Sequence, residues 1–243
     1  FNGGTISNSY ATGAVSSGRD RGGLIGRITA IGYSVSNTYA TGVVSSSGAT
    51  NSGGLVGRVT AASTGTVSSS FWNSDNTSSA GYGSAGTGLS STAMKTASSF
   101  SAWSISSSGG SSNTWRIYDG STSPLLRTFL TPLATDTSTT YNGAVQYGIG
   151  HGLSNISGTV ASGTDAGTYT SGTLYSNQQG YDLSGSGTLT ISKAVLTVTG
   201  TTAAGKTYDG STNAAITVGT LSGFENSETL SATAIGTFDS KNA

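Results

Sequence analysis

Ile6-Ser7-Asn8-Ser9-Tyr10-Ala11-Thr12-Gly13 returns 29 residues on as Val35-Ser36-Asn37-Thr38-Tyr39-Ala40-Thr41-Gly42, and again, weakened, as Val67-Ser68-Ser69-Ser70-Phe71-Trp72. Between the copies Gly22-Gly23-Leu24-Ile25-Gly26-Arg27 recurs as Gly53-Gly54-Leu55-Val56-Gly57-Arg58, offset by 31 residues. A period of about 30 residues marks stacked units that bury a face only against their neighbours. Each phrase alternates β-branched or aromatic residues with Ser, Thr or Asn and closes on Gly or Asn, the pattern of short strands. The expected arrangement is coils of parallel strands joined by turns. Ile6, Val35 and Val67 form one column and Tyr10, Tyr39 and Phe71 another, while Leu24/Ile25 and Leu55/Val56 fill each coil. Arg27 and Arg58 form a basic column outside, best explained as solvated charges at strand ends.

Composition fits many thin cores better than one thick one. Gly accounts for 38 of 243 residues, Pro for 2, and charged residues for 8%, against roughly 25% in ordinary globular domains. The formal charge is zero, yet residues 1–133 carry seven bases against three acids and residues 134–243 three against seven. Neither part clusters Lys and Arg densely enough for a nucleic-acid partner. No run approaches the ~18 apolar residues that cross a membrane, so no membrane insertion by this segment is expected. The absence of cysteine excludes disulfides and thiolate metal sites. The opening Phe1-Asn2-Gly3-Gly4 and the closing Lys241-Asn242-Ala243 read as interior sequence, so the chain is expected to be a piece of something longer.

Three regions follow. Residues 1–133 hold the repeats and a C-terminal cap, in which Trp103, Trp115, Ile117, Leu125, Leu126 and Phe129 cover the last coil. One or two helical turns are expected over residues 91–100. Residues 134–193 place short strands about 8–12 residues apart, as in an antiparallel sandwich. Residues 194–243 open on Ala194-Val195-Leu196-Thr197-Val198-Thr199 and repeat the Tyr141-Asn142-Gly143 turn as Tyr208-Asp209-Gly210.

The strings that look chemical lack their context. Gly200-Thr201-Thr202-Ala203-Ala204-Gly205-Lys206-Thr207 matches a phosphate loop, but turn sequence follows it where a helix is required. Gly81-Tyr82-Gly83-Ser84-Ala85-Gly86 follows no apolar strand. Asp20, Asp75 and Asp119 read as turn residues, and His151 lies among glycines without partners. Turn Asp and Asn side chains suit calcium, but no EF-hand or Gly-Gly-x-Gly-x-Asp spacing is present. No catalytic residue, metal ligand or cofactor is assigned. A carbohydrate-cleaving enzyme, the third class weighed, would need paired carboxylates.

The two Gly-Gly-Leu-[Ile/Val]-Gly phrases, each following Tyr-Ala-Thr-Gly, resemble the GLUG repeats of bacterial filamentous-haemagglutinin-like adhesins. Lys206-Thr207-Tyr208-Asp209-Gly210-Ser211-Thr212, Leu221-Ser222-Gly223 and Gly236-Thr237-Phe238-Asp239-Ser240-Lys241 resemble the YDG modules of the same exoproteins. Asp165-Ala166-Gly167-Thr168-Tyr169 and Gly187-Thr188-Leu189-Thr190-Ile191-Ser192 are similar to the small immunoglobulin-like modules beside them. The resemblance implies an all-β chain: a short right-handed parallel β-helix, then small antiparallel β-sandwich modules. It also implies a non-catalytic segment of a secreted or surface-exposed Gram-negative protein, exported through an outer-membrane secretion partner. Glycans or extracellular proteins are the expected ligands, with Trp72 and Tyr82 nominated to contact them. The alternative is a purely structural stalk.

Overall fold

The structure, a computed structural model, describes residues 4–77 and 85–240. It is all-β, and the helical content among the described residues is three short 3-10 turns, Ala93–Lys95, Ala97–Phe100 and Arg127–Phe129. Two of these fall where the sequence predicts helical turns. The chain forms two compact units, Phe1–Ala134 with Leu153–Ser157 and Leu174–Ser184, and Thr135–Gly152 with Gly158–Thr173 and Gly185–Ala243. Compactness therefore divides the chain differently from the linear boundaries at 133 and 193.

The repeats make β1 (Thr5–Ala11), β2 (Asp20–Gly22), β3 (Ile25–Ile28), β4 (Tyr33–Ala40), β5 (Asn51–Gly53), β6 (Val56–Val59), β7 (Gly65–Ser68), β8 (Phe71–Asn73) and β9 (Thr87–Leu89). Every pairing among them is parallel, and those among β1 to β8 join equivalent residues of successive copies. Ile6 lies beside Val35 and Tyr10 beside Tyr39 in β1–β4; Val35 meets Val67 in β4–β7; Tyr39 meets Phe71 in β4–β8. Gly22 pairs with Gly53 in β2–β5, and Arg27 with Arg58 in β3–β6. Both columns and the stacked arginines are thus present.

A bend separates the two columns. In a flat strand Ile6 and Tyr10, four apart, would share a face. Asn8, Asn37 and Ser69 instead adopt φ of 46°, 51° and 44° at equivalent positions, and Asn is among the few residues that enter the left-handed region readily. The next hydroxyl closes the bend: Ser9 Oγ donates to the Ser7 carbonyl and Ser70 Oγ to the Ser68 carbonyl, each at 2.8 Å. As a result Val35, with Ile6 and Val67 beside it, belongs to one core with Ile25, Leu55 and Val56. Tyr39, flanked by Tyr10 and Phe71, belongs to another.

The Gly-Gly phrase makes room for a ring. A Cβ on Gly54 would lie 2.3 Å from the Trp72 indole. Trp72 stands in line with Ala40 on one side and Gly88 on the other, so a large side chain fits only where its neighbours are small.

The residues expected to cap the last coil instead run along the side of the ladder. Trp115 Nε1 donates to Asn8 Oδ1 in the first copy at 3.2 Å, Trp103 Nε1 to the Ser69 carbonyl in the third at 2.8 Å, and Tyr39 Oη to the Pro124 carbonyl at 2.7 Å. The Trp103 and Trp115 rings lie 4.9 Å apart. Together with Met94, Phe100 and Ile117 they seal the tyrosine column, and burial pushes the Tyr39 hydroxyl far above its ordinary range. Leu125 is buried in a separate cluster, whereas Phe129 is exposed. This correction has a simple cause: apolar density shows that a segment packs, but not which side of the ladder it covers.

Two ionic groups tie the first unit. Arg21, buried, donates to the carbonyls of Gly18, Ser45 and Ser47. Asp182, only 3% exposed, lies on Tyr181–Ser184, which pairs in parallel with Thr131–Ala134. Its Oδ1 lies 3.2 Å from Arg116 Nε, and Oδ2 accepts from Arg127 and from the Gly110 N–H. Arg116 also stacks over the Tyr118 ring at 4.0 Å, and Tyr118 Oη donates to the Tyr181 carbonyl while accepting from the Leu183 N–H.

The second unit is built on Thr188–Ser192, which pairs in parallel with Thr137–Thr140 and antiparallel with Gly167–Thr170 around Ala161, Leu189 and Ile191. Uniformly antiparallel pairing is not what forms, because alternation specifies faces and leaves strand direction open. The Asp136 carboxylate anchors this sheet by accepting from the Thr188 N–H first and then from the Ser186 hydroxyl and N–H, which holds its pKa below the ordinary value. Residues 194–240 add three short antiparallel pairs, the first between Thr197–Thr199 and Thr220–Ser222.

Candidate functional site

The two nominated ligand-contact residues have different fates. Trp72 is 6% exposed, wedged against Gly54 and Gly88, and presents no ring face to solvent. Tyr82 lies outside the described residues, as does most of the Gly81–Gly86 string.

The carboxylates of the repeat region are engaged locally. Asp20 lies in β2 rather than in a turn; it accepts from Asn51 Nδ2 at 2.6 Å and pairs with Arg27 Nε at 3.2 Å. Asp75 and Asp119 do cap turns, accepting from the Ser91 and Ala97 N–H groups respectively. Among the described residues no group of three or more His, Cys, Asp or Glu side chains is disposed to hold a metal.

In the second unit His151 stacks on Tyr147, rings parallel within 9° at a centroid distance of 3.6 Å. Tyr147 is 51% exposed, so the pair forms a small aromatic platform at the surface. In the sequence the signal of this pair is only the single histidine four residues from a tyrosine, set among glycines that specify no geometry. Elsewhere in this unit a cleft of about 460 Å³ is lined by Tyr141, Asp165, Lys193, Leu196, Phe224 and Glu228. The Tyr141 hydroxyl donates to Glu228, and that bond, ahead of burial, raises its pKa. Its lining combines apolar side chains with the carboxyl groups of Asp165 and Glu228 and the Lys193 amine, an environment for contact binding.

Lys206, the lysine of the phosphate-loop string, is committed to its own turn. Its Nζ donates to Asp209 Oδ1 at 2.8 Å and to the Ser211 carbonyl at 2.9 Å. The Ser211 N–H also donates to Asp209, closing an Asx turn in which Gly210 takes φ 76°. The string is followed by this turn and contains a short strand, Thr202–Ala203, so no helix N-terminus faces a phosphate.

The Asp209 carboxyl is held at a pKa of about 2, first by Lys206 and then by Ser211. A folded value below the ordinary 3.8 means that the turn's ionic contribution is complete above that pH and is lost as pH falls through about 2. In NMR titrations the Ser211 amide is expected to shift with a midpoint near that value. In Lys206→Ala the midpoint rises toward the ordinary one; an unchanged midpoint would remove Lys206 as the cause.

Residues 192–243 match the YDG domain family, a stretch that begins at the end of Thr188–Ser192 and contains this Tyr208-Asp209-Gly210 turn. Comparison with curated proteins and with solved structures returns no match.

Proposed function

We propose that the chain is a non-catalytic segment of a large adhesin-like exoprotein, secreted to a Gram-negative cell surface through an outer-membrane partner. The observation that carries this reading is an order along one chain: tandem copies paired in parallel on equivalent residues, followed by a YDG match. In this reading the repeats are of the GLUG type, and their ladders β1–β4–β8, β2–β5 and β3–β6 are sides of a right-handed parallel β-helix. Small β-sandwich modules follow it.

Adhesion to glycans or extracellular proteins is the proposed work, and the exposed Tyr147–His151 platform is its proposed contact surface. A stalk is the second reading, favoured for the repeats themselves: among the described residues of β1 to β9 every aromatic side chain is buried or half-buried. The test is a glycan and extracellular-matrix array probed with the whole chain and with Tyr147→Ala. Saturable binding lost in the variant supports the adhesive reading. A folded chain that binds nothing leaves the stalk.

A further inference from the structure

The Tyr-[Asn/Asp]-Gly turn occurs twice in the second unit, and the two copies are built alike. In Tyr141-Asn142-Gly143 the Ala144 N–H donates to Asn142 Oδ1 at 3.0 Å and Gly143 takes φ 71°; in Tyr208-Asp209-Gly210 the Ser211 N–H donates to Asp209 Oδ1 at 2.9 Å and Gly210 takes φ 76°. Each turn leads at the same offset into a two-residue strand with an antiparallel partner, Gln146–Tyr147 with Ser162–Gly163 and Asn213–Ala214 with Gly236–Thr237. An aspartate stands two residues after each partner strand, Asp165 in one case and Asp239 in the other. The second turn is therefore the first repeated 67 residues on, in backbone as well as in sequence.

The first copy shows what such a turn receives. The loop Glu225-Asn226-Ser227-Glu228 closes with a bond of 3.0 Å from the Glu228 N–H to the Glu225 carbonyl, and its central residues take φ of 49° and 62°, the positive values of a type I′ turn. Its tip rests on the first copy: Tyr141 Oη donates to the Glu228 carboxylate, and Asn226 Nδ2 donates to the Gly143 carbonyl at 3.1 Å. Glycine is needed there twice over, for its positive φ and because a Cβ on Gly143 would lie 2.3 Å from the Asn226 Cβ. A tyrosine hydroxyl, a glycine carbonyl and the notch above that glycine thus read the loop, and all three recur in the second copy. Tyr208 is 65% exposed, and no described atom lies within 4 Å of where a Cβ on Gly210 would be.

We propose that the Tyr208-Asp209-Gly210 turn binds the Glu-Asn-Ser-Glu loop of a second YDG module, through the contacts that Tyr141-Asn142-Gly143 makes with residues 225–228. Tyr208 Oη donates to the incoming Glu228-equivalent carboxylate, the Asn226-equivalent amide donates to the Gly210 carbonyl, and its Cβ fills the notch at Gly210. Asp209 stands where the first copy has Asn142, and Lys206 Nζ at 2.8 Å offsets its charge toward an acidic loop. The inference concerns what the turn accepts, so it holds whether the loop arrives on a separate molecule or within one longer chain. It stands whether or not the chain is adhesive.

The test uses the whole chain and a cyclic peptide of residues 223–230 closed by D-Pro-Gly, which holds the turn at residues 225–228. Saturable binding is expected, with the Gly210 and Ser211 amide signals shifting in NMR spectra. Tyr208→Phe in the chain weakens binding at least about tenfold, the equivalent of one lost hydrogen bond. Gly210→Asn acts similarly, because Asn tolerates the left-handed φ while its Cβ occupies the notch. Should these variants fail to fold, two altered peptides decide the matter on the unaltered chain. Asn226→Asp, which replaces the donating amide, binds at least about tenfold more weakly than Ser227→Asp, which adds the same charge and alters neither contact. No saturable binding by a peptide whose NMR spectrum shows the turn formed, equal affinities of the two altered peptides, or shifts confined to the Tyr141-Asn142-Gly143 turn would each overturn the proposal.

Discussion

Gly54→Ala is expected to destabilise the first unit by about 3 kcal/mol, at the upper end of what overpacking costs. The added Cβ would sit 2.3 Å from the Trp72 ring. Trp72 has no room to retreat, since Gly88 crowds its far edge and Ala40 lies beside it in the ladder. Trp72→Ala alone is expected to cost about 3–5 kcal/mol through the cavity it leaves. The informative variant is the double one. Gly54 lies outside the left-handed region and the three atoms nearest its would-be Cβ all belong to the Trp72 ring, so with the indole gone most of the alanine's cost is expected to disappear and restriction of the unfolded chain to return about 0.4–1 kcal/mol. Chemical denaturation of the four proteins closes the cycle. A Gly54→Ala cost that is equal in both backgrounds would show that the ring is not what the glycine accommodates.

Asp182→Asn is the second large loss expected, about 3–5 kcal/mol, because removing one partner of a buried ionic group strands the charge that remains. The stranded charge is Arg116, whose guanidinium is buried and whose pKa is already lowered by desolvation ahead of any neighbour. Arg127→Ala should cost less. Arg127 is the more exposed arginine, with 13% of its side chain accessible, and its removal leaves Arg116 and Asp182 as a one-to-one pair. Equal losses in the two variants, measured by denaturant midpoints, would mean that the carboxylate serves mainly as the acceptor for Gly110 and Arg127 rather than as the counter-charge to Arg116.

How far the sequence reveals this molecule depends on whether a contact is periodic. The match of Ile6-Ser7-Asn8-Ser9-Tyr10 with Val35-Ser36-Asn37-Thr38-Tyr39 predicts the observed register to the residue, because like side chains stack when like strands pair. The division of Ile6 and Tyr10 between two cores is hidden, since it depends on a single left-handed residue between them. Trp115 reaching Asn8 across 107 positions and Asp182 meeting Arg116 and Arg127 have no period to reveal them. Of the nominated ligand contacts, Trp72 shows the ambiguity of an aromatic beside glycines: the same pattern describes a ring offered to a sugar and a ring sunk into a notch. The Tyr147–His151 stack is legible only as two aromatic residues four apart, which specifies no geometry.

The ladders also determine where this chain can change length. Residues 12–19 join β1 to β2, whereas their counterparts 41–50 are two residues longer; residues 29–32 join β3 to β4, and their counterparts 60–64 are one longer. Equivalent residues nonetheless pair throughout, so the extra residues are absorbed wholly in the turns. Insertions there behave like slack in a tether. One residue added between Ile6 and Tyr10 would act as a frameshift in space, turning the remaining side chains of that strand to the opposite face as far as the next turn.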